Sequence, residues 1–257
     1  MLLCIDIGNT NIKIGLFEAE ALQLYWTIAT DRKRSASEYA MLLLELFASE
    51  GVDKRQVTGC AISSVVPSLT QAFQELVEHH LQLKSLVVGQ GVRTGMRVNT
   101  DYPAEVGSDL ITSAVAARHL YGAPVVVVGL GTATTLSAVS ASGDFEGVAI
   151  APGVITSAEA LFQFAAALPQ VVLQLPPDVI GKNTIHSMQA GLVLGFAALV
   201  EGLAKRMRDQ LGGTAQIVAT GGLAPLIAPE AHIVDVVEPN LVLIGLRLIY
   251  DLNRAQP

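Results

Sequence analysis

Apolar and polar positions run through this chain in two rounds of one pattern. The first round opens with MLLCIDIGNTNIKIGLFE: an apolar run, a polar turn at Gly8-Asn9-Thr10, and a second apolar run. That order predicts a two-stranded hairpin. LQLYWTIAT predicts a third strand. SASEYAMLLLELFASEG predicts a helix, with Ser35 placed to cap it, Glu38 three residues on, and Gly51 to stop it. VTGCAISSVV predicts a buried strand, Pro67 opens a helix to about His80, and LKSLVVG predicts another strand. AEVGSDLITSAVAARHLYG predicts a helix ending at Gly122.

The pattern then restarts. PVVVVGLGTATTLSAVSASGDFEGVAI predicts strand, glycine turn, strand, glycine turn, strand. Helices are expected at about 155–167 and 184–211, the second apolar around much of its circumference through Met188, Leu192, Leu194, Phe196, Leu199, Val200 and Leu203. AQIVATGGLAPLI predicts strand, Gly-Gly turn and short helix. HIVDVV predicts a last strand, and PNLVLIGLRLIYDLNR a last helix with Pro239 at its start. The two polar turns align, Asp6-Ile7-Gly8-Asn9-Thr10-Asn11 against Gly129-Leu130-Gly131-Thr132-Ala133-Thr134. The expectation is an α/β protein of two duplicated halves, residues 1–120 and 121–257, with a site in the cleft between them and a last helix that can return to the first half.

Composition narrows the function. Of 257 residues, 51% are hydrophobic, enough to bury a sizeable core, yet no window approaches about 18 uninterrupted apolar residues, so no membrane span is expected. MLLCIDIG lacks a basic stretch before its apolar run and meets Asp6, so it is expected to be a buried strand and not a signal peptide. A net charge of −7 argues against nucleic acid as the main partner. Asp31-Arg32-Lys33-Arg34 is a short basic cluster expected in a solvated loop. Cys4 and Cys60 both lie in apolar runs and are expected to be reduced core thiols of a cytoplasmic protein.

The candidate chemistry sits in the turns. In DIGNTN, Gly8 lets backbone N–H groups approach an anion, and Asn9, Thr10 and Asn11 add neutral donors. Lys13 can neutralise phosphate, and Asp6 can hold Mg²⁺ through water. An ordinary hairpin turn would use the same residues. GTATT repeats the chemistry, and two such turns can bracket a polyphosphate, although no GxxxxGK[ST] loop occurs. Gly221-Gly222 either admits a flat adenine or ribose or is simply a helix-entry turn.

DIGNTN, VGSD, GTATT, IAPGVITSAEAL, IGKNT and ATGGLA, in this order over almost the whole chain, resemble the type III pantothenate kinases. The resemblance implies ribonuclease-H-like halves of the actin-like ATPase kind, transfer of the ATP γ-phosphoryl to pantothenate in coenzyme A synthesis, and a homodimer. It implies an ATP site at Asp6, Ile7, Gly8, Asn9, Thr10, Asn11, Ile12 and Lys13, with Gly131, Thr132, Gly221 and Gly222. It implies Asp109 as the base that takes the pantothenate hydroxyl proton, and a substrate site at Thr100, Gly107, Ser108, Asp109, Leu110 and Thr184. Thr184 would reach pantothenate across the dimer, and can also be a helix N-cap. Asp109 at a helix start is expected to stay ionised. Mg²⁺ is implied through Asp6, and a monovalent cation, K⁺ or NH₄⁺, at position 129.

Several positions depart from the family pattern. Gly129 stands where the family usually has the Asp that binds the monovalent cation, and Leu110 where it has an Arg for pantothenate. Thr100 replaces a Tyr, with Tyr102 two residues away as a possible substitute. Ser108, Ser113, Ser137 and Val148 replace Ala, Asn, Asp and Gly. The ATP side is largely intact and the acceptor side altered. Three readings stay open at this point: a pantothenate kinase, a non-catalytic nucleotide-binding paralogue acting through a partner, or a kinase for another small hydroxylated acceptor.

Overall fold

In the computed structural model, which describes residues 1–165 and 167–254, the two rounds become two five-stranded sheets. The chain divides into two compact units. The first contains Met1–Met96, Tyr102–Ala116 and the stretch from Val242; the second contains Arg97–Asp101 and Ala117–Leu241.

In the first unit, β1 (Leu2–Ile7), β2 (Asn11–Glu18) and β3 (Ala21–Ala29) form an antiparallel meander. Helix α1 (Ala36–Ser49) follows, with the capping box closed between Ser35 and Glu38 and Gly51 at φ +70° beyond its end. Then come β4 (Gly59–Ser64), α2 (Pro67–Leu81) and β5 (Ser85–Val87), giving the sheet order β3-β2-β1-β4-β5 with β4 and β5 parallel to β1. The predicted strand at 83–89 shortens to three residues. Helix α3 (Ser108–Tyr121) starts four residues later than the polar pattern suggested, because Pro103–Glu105 forms a separate 3-10 turn.

Strand alternation divides β1 between two faces. Leu3, Ile5 and Ile7 point into a core with Tyr39, Leu43 and Phe47 of α1 and Phe73 and Leu76 of α2. Cys4 and Asp6 therefore occupy the other face. Both faces are covered, which is why the strand reads as a continuous apolar run.

The second unit repeats the topology. Strands β6 (Val125–Leu130), β7 (Ala133–Val139) and β8 (Phe145–Pro152) form the meander, and α4 (Val154–Phe164) follows. The helix predicted at 184–211 consists of α5 (Thr184–Gln189), a π-helical turn at Ala190–Leu194, and α6 (Gly195–Gln210). By length and composition this stretch could cross a membrane. Its Met188, Leu192, Val193, Ala197, Val200 and Ala204 instead pack into the unit's own core with Val126, Val128 and Leu136. Strand β9 (Gln216–Thr220), α7 (Ala224–Ile227) and a β10 of only two residues (Val236–Val237) complete the order β10-β9-β6-β7-β8. Read from its other edge, this is the order and the strand direction of the first sheet.

Helix α8 (Leu241–Arg254) begins two residues after Pro239, so that proline precedes the helix and does not open it. From Val242 onward it belongs to the first unit and lies on the Cys4 face. A Cβ on Gly15 would meet Leu243, and one on Gly59 would meet the Tyr250 hydroxyl. Gly245 sits against the Thr112 carbonyl of α3, too close for any side chain. Cys4 and Cys60 are free and fully buried, and burial pushes both thiols well up. Because a Cβ at 245 collides with backbone, Gly245→Ala should lower unfolding free energy by about 1–3 kcal/mol, read as a fall in the denaturant midpoint with unchanged slope.

Candidate functional site

The first unit gathers charge where β1 ends. Asp6 is 9% exposed and sits opposite Lys13 of β2 and Ser63 of β4 in the strand register. The turn after it closes through Gly8 N–H donating to Asn11 C=O at 3.0 Å, and a Cβ on Gly8 would stand 2.9 Å from that oxygen. Thr30 Oγ1 donates to the Gly8 carbonyl at 2.7 Å, and Arg32 holds the Asn9 amide oxygen at 2.8 Å. Asp31, Arg32, Lys33 and Arg34 lie exposed in a loop, as expected, and Arg32 in addition reaches the Asn9 turn. Its signal was the polar turn beside it, but only folding brings β3's end next to β1's. Ile7 and Ile12 are fully buried and anchor the turn in the core.

Asp109 lies in the first turn of α3 and is close enough to Asp6 for the two carboxylates to repel. Burial first, and then Asp109, pushes Asp6 up to about 6, against Lys13 and a hydrogen bond from Ser63. Asp109 is also raised by burial, which outweighs the backbone N–H groups of Leu110 and Asp109 that favour its charge. Desolvation is thus the larger effect on this carboxyl, and the backbone N–H groups of the helix start work against it. Gly107 makes room for this carboxylate, since a Cβ there would stand 2.5 Å from Asp109 Oδ1. Leu110 is partly buried and brings no charge. Tyr102 is 70% exposed.

The second unit builds its turn without charge. Gly131 N–H donates to Ala133 C=O at 3.1 Å, and Thr156 Oγ1 donates to the Thr132 carbonyl at 3.0 Å. Gly153 backs the loop so closely that a Cβ would strike the carbonyls of Gly131 and Thr132. Gly221, at φ +101°, stands against Leu130, where a Cβ would lie 2.5 Å from the Leu130 carbonyl oxygen. Gly222 has open space. The sequence pointed to Gly221-Gly222, as a turn that admits a flat adenine or ribose or as a helix entry; Gly153, just before α4, lets the backbone approach the loop and was missed because only its place against Thr132 reveals it.

Strand register makes Gly129 the counterpart of Asp6, Thr135 of Lys13 and Thr220 of Ser63. A Cβ at Gly129 would be 2.5 Å from Thr135 Oγ1. Thr100 and Thr134 each have a buried hydroxyl oxygen without a hydrogen-bond partner. Thr184 is exposed at the first position of α5, and the cap expected of it is made by Asn183, whose Oδ1 accepts from His186 N–H at 2.9 Å. Among the described residues there is no cluster of three or more His, Cys, Asp or Glu that could cage a metal. Asp6 beside Asp109 fits an ion held largely by water and phosphate oxygens, as Mg²⁺ prefers.

Residues 2–206 match the family model described as type III pantothenate kinase. A type III pantothenate kinase of Roseiflexus sp. (strain RS-1) is 53% identical over 99% of this chain and 100% of its own. That of Moorella thermoacetica is 48% identical over 98% of this chain and 100% of its own. Among solved structures, a Sinorhizobium meliloti protein described as a 2-dehydro-3-deoxygalactonokinase superposes with a TM-score of 0.61 at 13% identity, covering 100% of this chain and 98% of that one. That likeness concerns the fold alone.

The raised Asp6 carboxyl gives a signed pH dependence for the metal-free protein. Its folded value of about 6 exceeds its reference of 3.8, so protonation favours the fold. The stability it contributes is full below the reference value and is lost as pH rises through 6. In EDTA, Asp6→Asn should be more stable than wild type at pH 8 by up to about 3 kcal/mol, and the difference should vanish near pH 4. Equal denaturant midpoints at both pH values would remove the buried charge from this account.

Proposed function

The chain belongs to the type III pantothenate kinase family, which makes it an ATP-dependent kinase of pantothenate, and we propose that Asp109 is its base and the DIGNTN turn its main phosphate cradle. The observation that carries this is the pairing of Asp6 and Asp109, two isolated carboxylates drawn together from β1 and α3. Gly8, Asn9, Thr10 and Asn11 present backbone and side-chain donors to phosphate oxygens, and Lys13 offsets their charge. From the second unit, Gly131 and Thr132 contact ATP, and Gly221 and Gly222 take the nucleoside. Mg²⁺, when bound, would supply neutralisation of polyphosphate charge, and Asp6 is the residue that would hold it through water.

Asp109 orients the primary hydroxyl of pantothenate and accepts its proton as the new O–P bond forms and the bond to ADP breaks. Phosphoryl transfer asks mainly for positioning and charge stabilisation, so one well-placed carboxylate suffices. Burial raises Asp109 and makes it a better base than a solvated aspartate. Thr100, Gly107, Leu110 and Thr184 are assigned to the acceptor, and Ser108, whose hydroxyl is taken up by Ser63 and Ser64, is assigned to it through its backbone alone. With Leu110 and no arginine at that place, acceptor binding is expected to be weaker.

A monovalent cation does not fit the residues present. Gly129 offers no side chain, and Thr135 Oγ1 fills the space a carboxylate stem would need. No step of the reaction is therefore assigned to K⁺ or NH₄⁺. ADP release by the purified protein with Mg-ATP should depend on pantothenate and be equal within about twofold in potassium and sodium buffers. Asp109→Asn should reduce it by at least about 10² with ATP affinity near wild type. Turnover unchanged in that variant would remove Asp109 from the mechanism, and a potassium requirement would overturn the reading of Gly129.

The enzyme is read as a homodimer in the cytoplasm. Support for the dimer is the concentration of exposed apolar side chains between Ile150 and Ile185, among them Phe162, Phe164, Val172, Val179 and Ile180. Two buried free thiols fit a reducing compartment. Sedimentation should show a dimer for wild type, and Phe164→Glu with Val179→Glu should shift it toward monomer; a wild-type monomer at micromolar concentration would exclude this assembly.

A further inference from the structure

Between the two carboxylates of the first unit lies a chain of hydroxyl groups that the mechanism above does not use. Ser63 is fully buried on β4 and next to Asp6 in register, where its hydroxyl favours the charged form of the Asp6 carboxyl. Ser63 Oγ is 3.1 Å from Ser108 Oγ. Ser108 is the first residue of α3 and the chain neighbour of Asp109. Its Oγ also accepts from Ser64 N–H at 3.0 Å and lies 3.1 Å from the Ser64 carbonyl. Ser64 is fixed in turn: Thr70 Oγ1 donates to Ser64 Oγ at 2.7 Å, and Val66 N–H donates to it at 3.1 Å. On the helix side, Thr112 Oγ1 donates to the Ser108 carbonyl at 2.5 Å.

Each serine hydroxyl carries one proton, so these contacts cannot all be donated at once. With Ser63 donating to Asp6, Ser108 can donate to Ser63, and the Ser64 carbonyl goes without the Ser108 proton. With Ser63 donating to Ser108 instead, Ser108 donates to Ser64 C=O and Asp6 loses its hydroxyl donor. In either pattern Ser108 stays bonded to the end of β4 through Ser63 and Ser64, so the residue preceding Asp109 is tied to the strand beside Asp6. A helix start tied to a strand edge by a buried hydroxyl has little freedom to shift, and small displacements of a catalytic group are costly.

We propose that Ser108, acting through Ser63, is a positioning residue that registers the start of α3, and with it Asp109, against Asp6. This rests on the kinase reading of the same carboxylates. It adds a residue that touches neither phosphate nor the reacting oxygen through its hydroxyl, yet sets where the base stands.

The test uses the full-length protein and two readouts. Ser108→Ala should lower kcat about tenfold while KM for ATP and for pantothenate each stay within about twofold. Ser63→Ala should do the same, and the double variant should be no worse than the poorer single one, since both break one chain. Ser108→Thr keeps the hydroxyl and should recover most of kcat. In parallel, amide hydrogen exchange without substrates should quicken across residues 106–112 in both alanine variants and return to the wild-type rate in the threonine variant. Unchanged exchange in that segment would overturn the proposal whatever the turnover. Faster exchange with kcat intact, or additive losses in the double variant, would also overturn it. Absence of pantothenate-dependent turnover in wild type would defeat the kinase reading alone, and the registration of α3 would then be decided by the exchange data.

Discussion

Two carboxylates held out of water within reach of each other are the constraint around which the first unit is arranged. Neither burial nor mutual repulsion is favourable to a charged pair, and Lys13 offsets only part of the cost. The arrangement persists because the surrounding structure determines both positions. Asp6 is fixed by the pairing of β1 with strands on either side, and Asp109 by the first turn of a helix that packs under α8. On the proposed reading, relief comes when positive charge arrives, delivered to the donor-rich turn beside Asp6 as a metal–polyphosphate complex. On that reading, instability in the free protein and affinity for the substrate are two views of one electrostatic fact.

The duplication shows how the same strand order can serve two roles. Both units run an antiparallel meander into two parallel strands, and both close a turn at the end of the first strand. At equivalent places one unit has Asp6, Lys13 and Ser63, and the other Gly129, Thr135 and Thr220. The second turn is one residue shorter, and its shape is dictated by glycines beneath it. One unit contributes charge; the other offers only backbone and hydroxyls.

Much of the fold was legible because its signals are local. The hairpins, the Ser35 capping box, the Pro67 helix start and the stop at Gly122 each follow from a few neighbouring residues. The paired turns revealed the repeat. What escaped was set by distant partners. The π-helical turn at Ala190–Leu194 has no periodicity of its own to betray it, and the short β10 shows that an apolar run need not find a long neighbour. At the site, Asp6 stood out at the end of an apolar strand, whereas Asp109 was singled out only by the resemblance of VGSD to the family. Their mutual repulsion, the hydroxyls between them and the service of Gly153 and Arg32 to the loops depend on tertiary placement. No spacing in the sequence gives the core that α8 joins from Val242 onward, or shows that Gly245 must lie against Thr112.

That last contact bears on the order in which the molecule can be made. Most of the first unit is translated early, but the face of its sheet that carries Cys4 and Asp6 is covered by a helix beginning at Leu241. The second unit is almost contiguous in the chain and ends where that helix begins. On the ribosome, the later unit therefore has all its parts before the earlier one does. Until α8 emerges, the Cys4 face of the first sheet lacks the helix that meets Gly15 and Gly59. The Cys4 face of the first sheet thus gains its last cover only when nearly everything else has been synthesised.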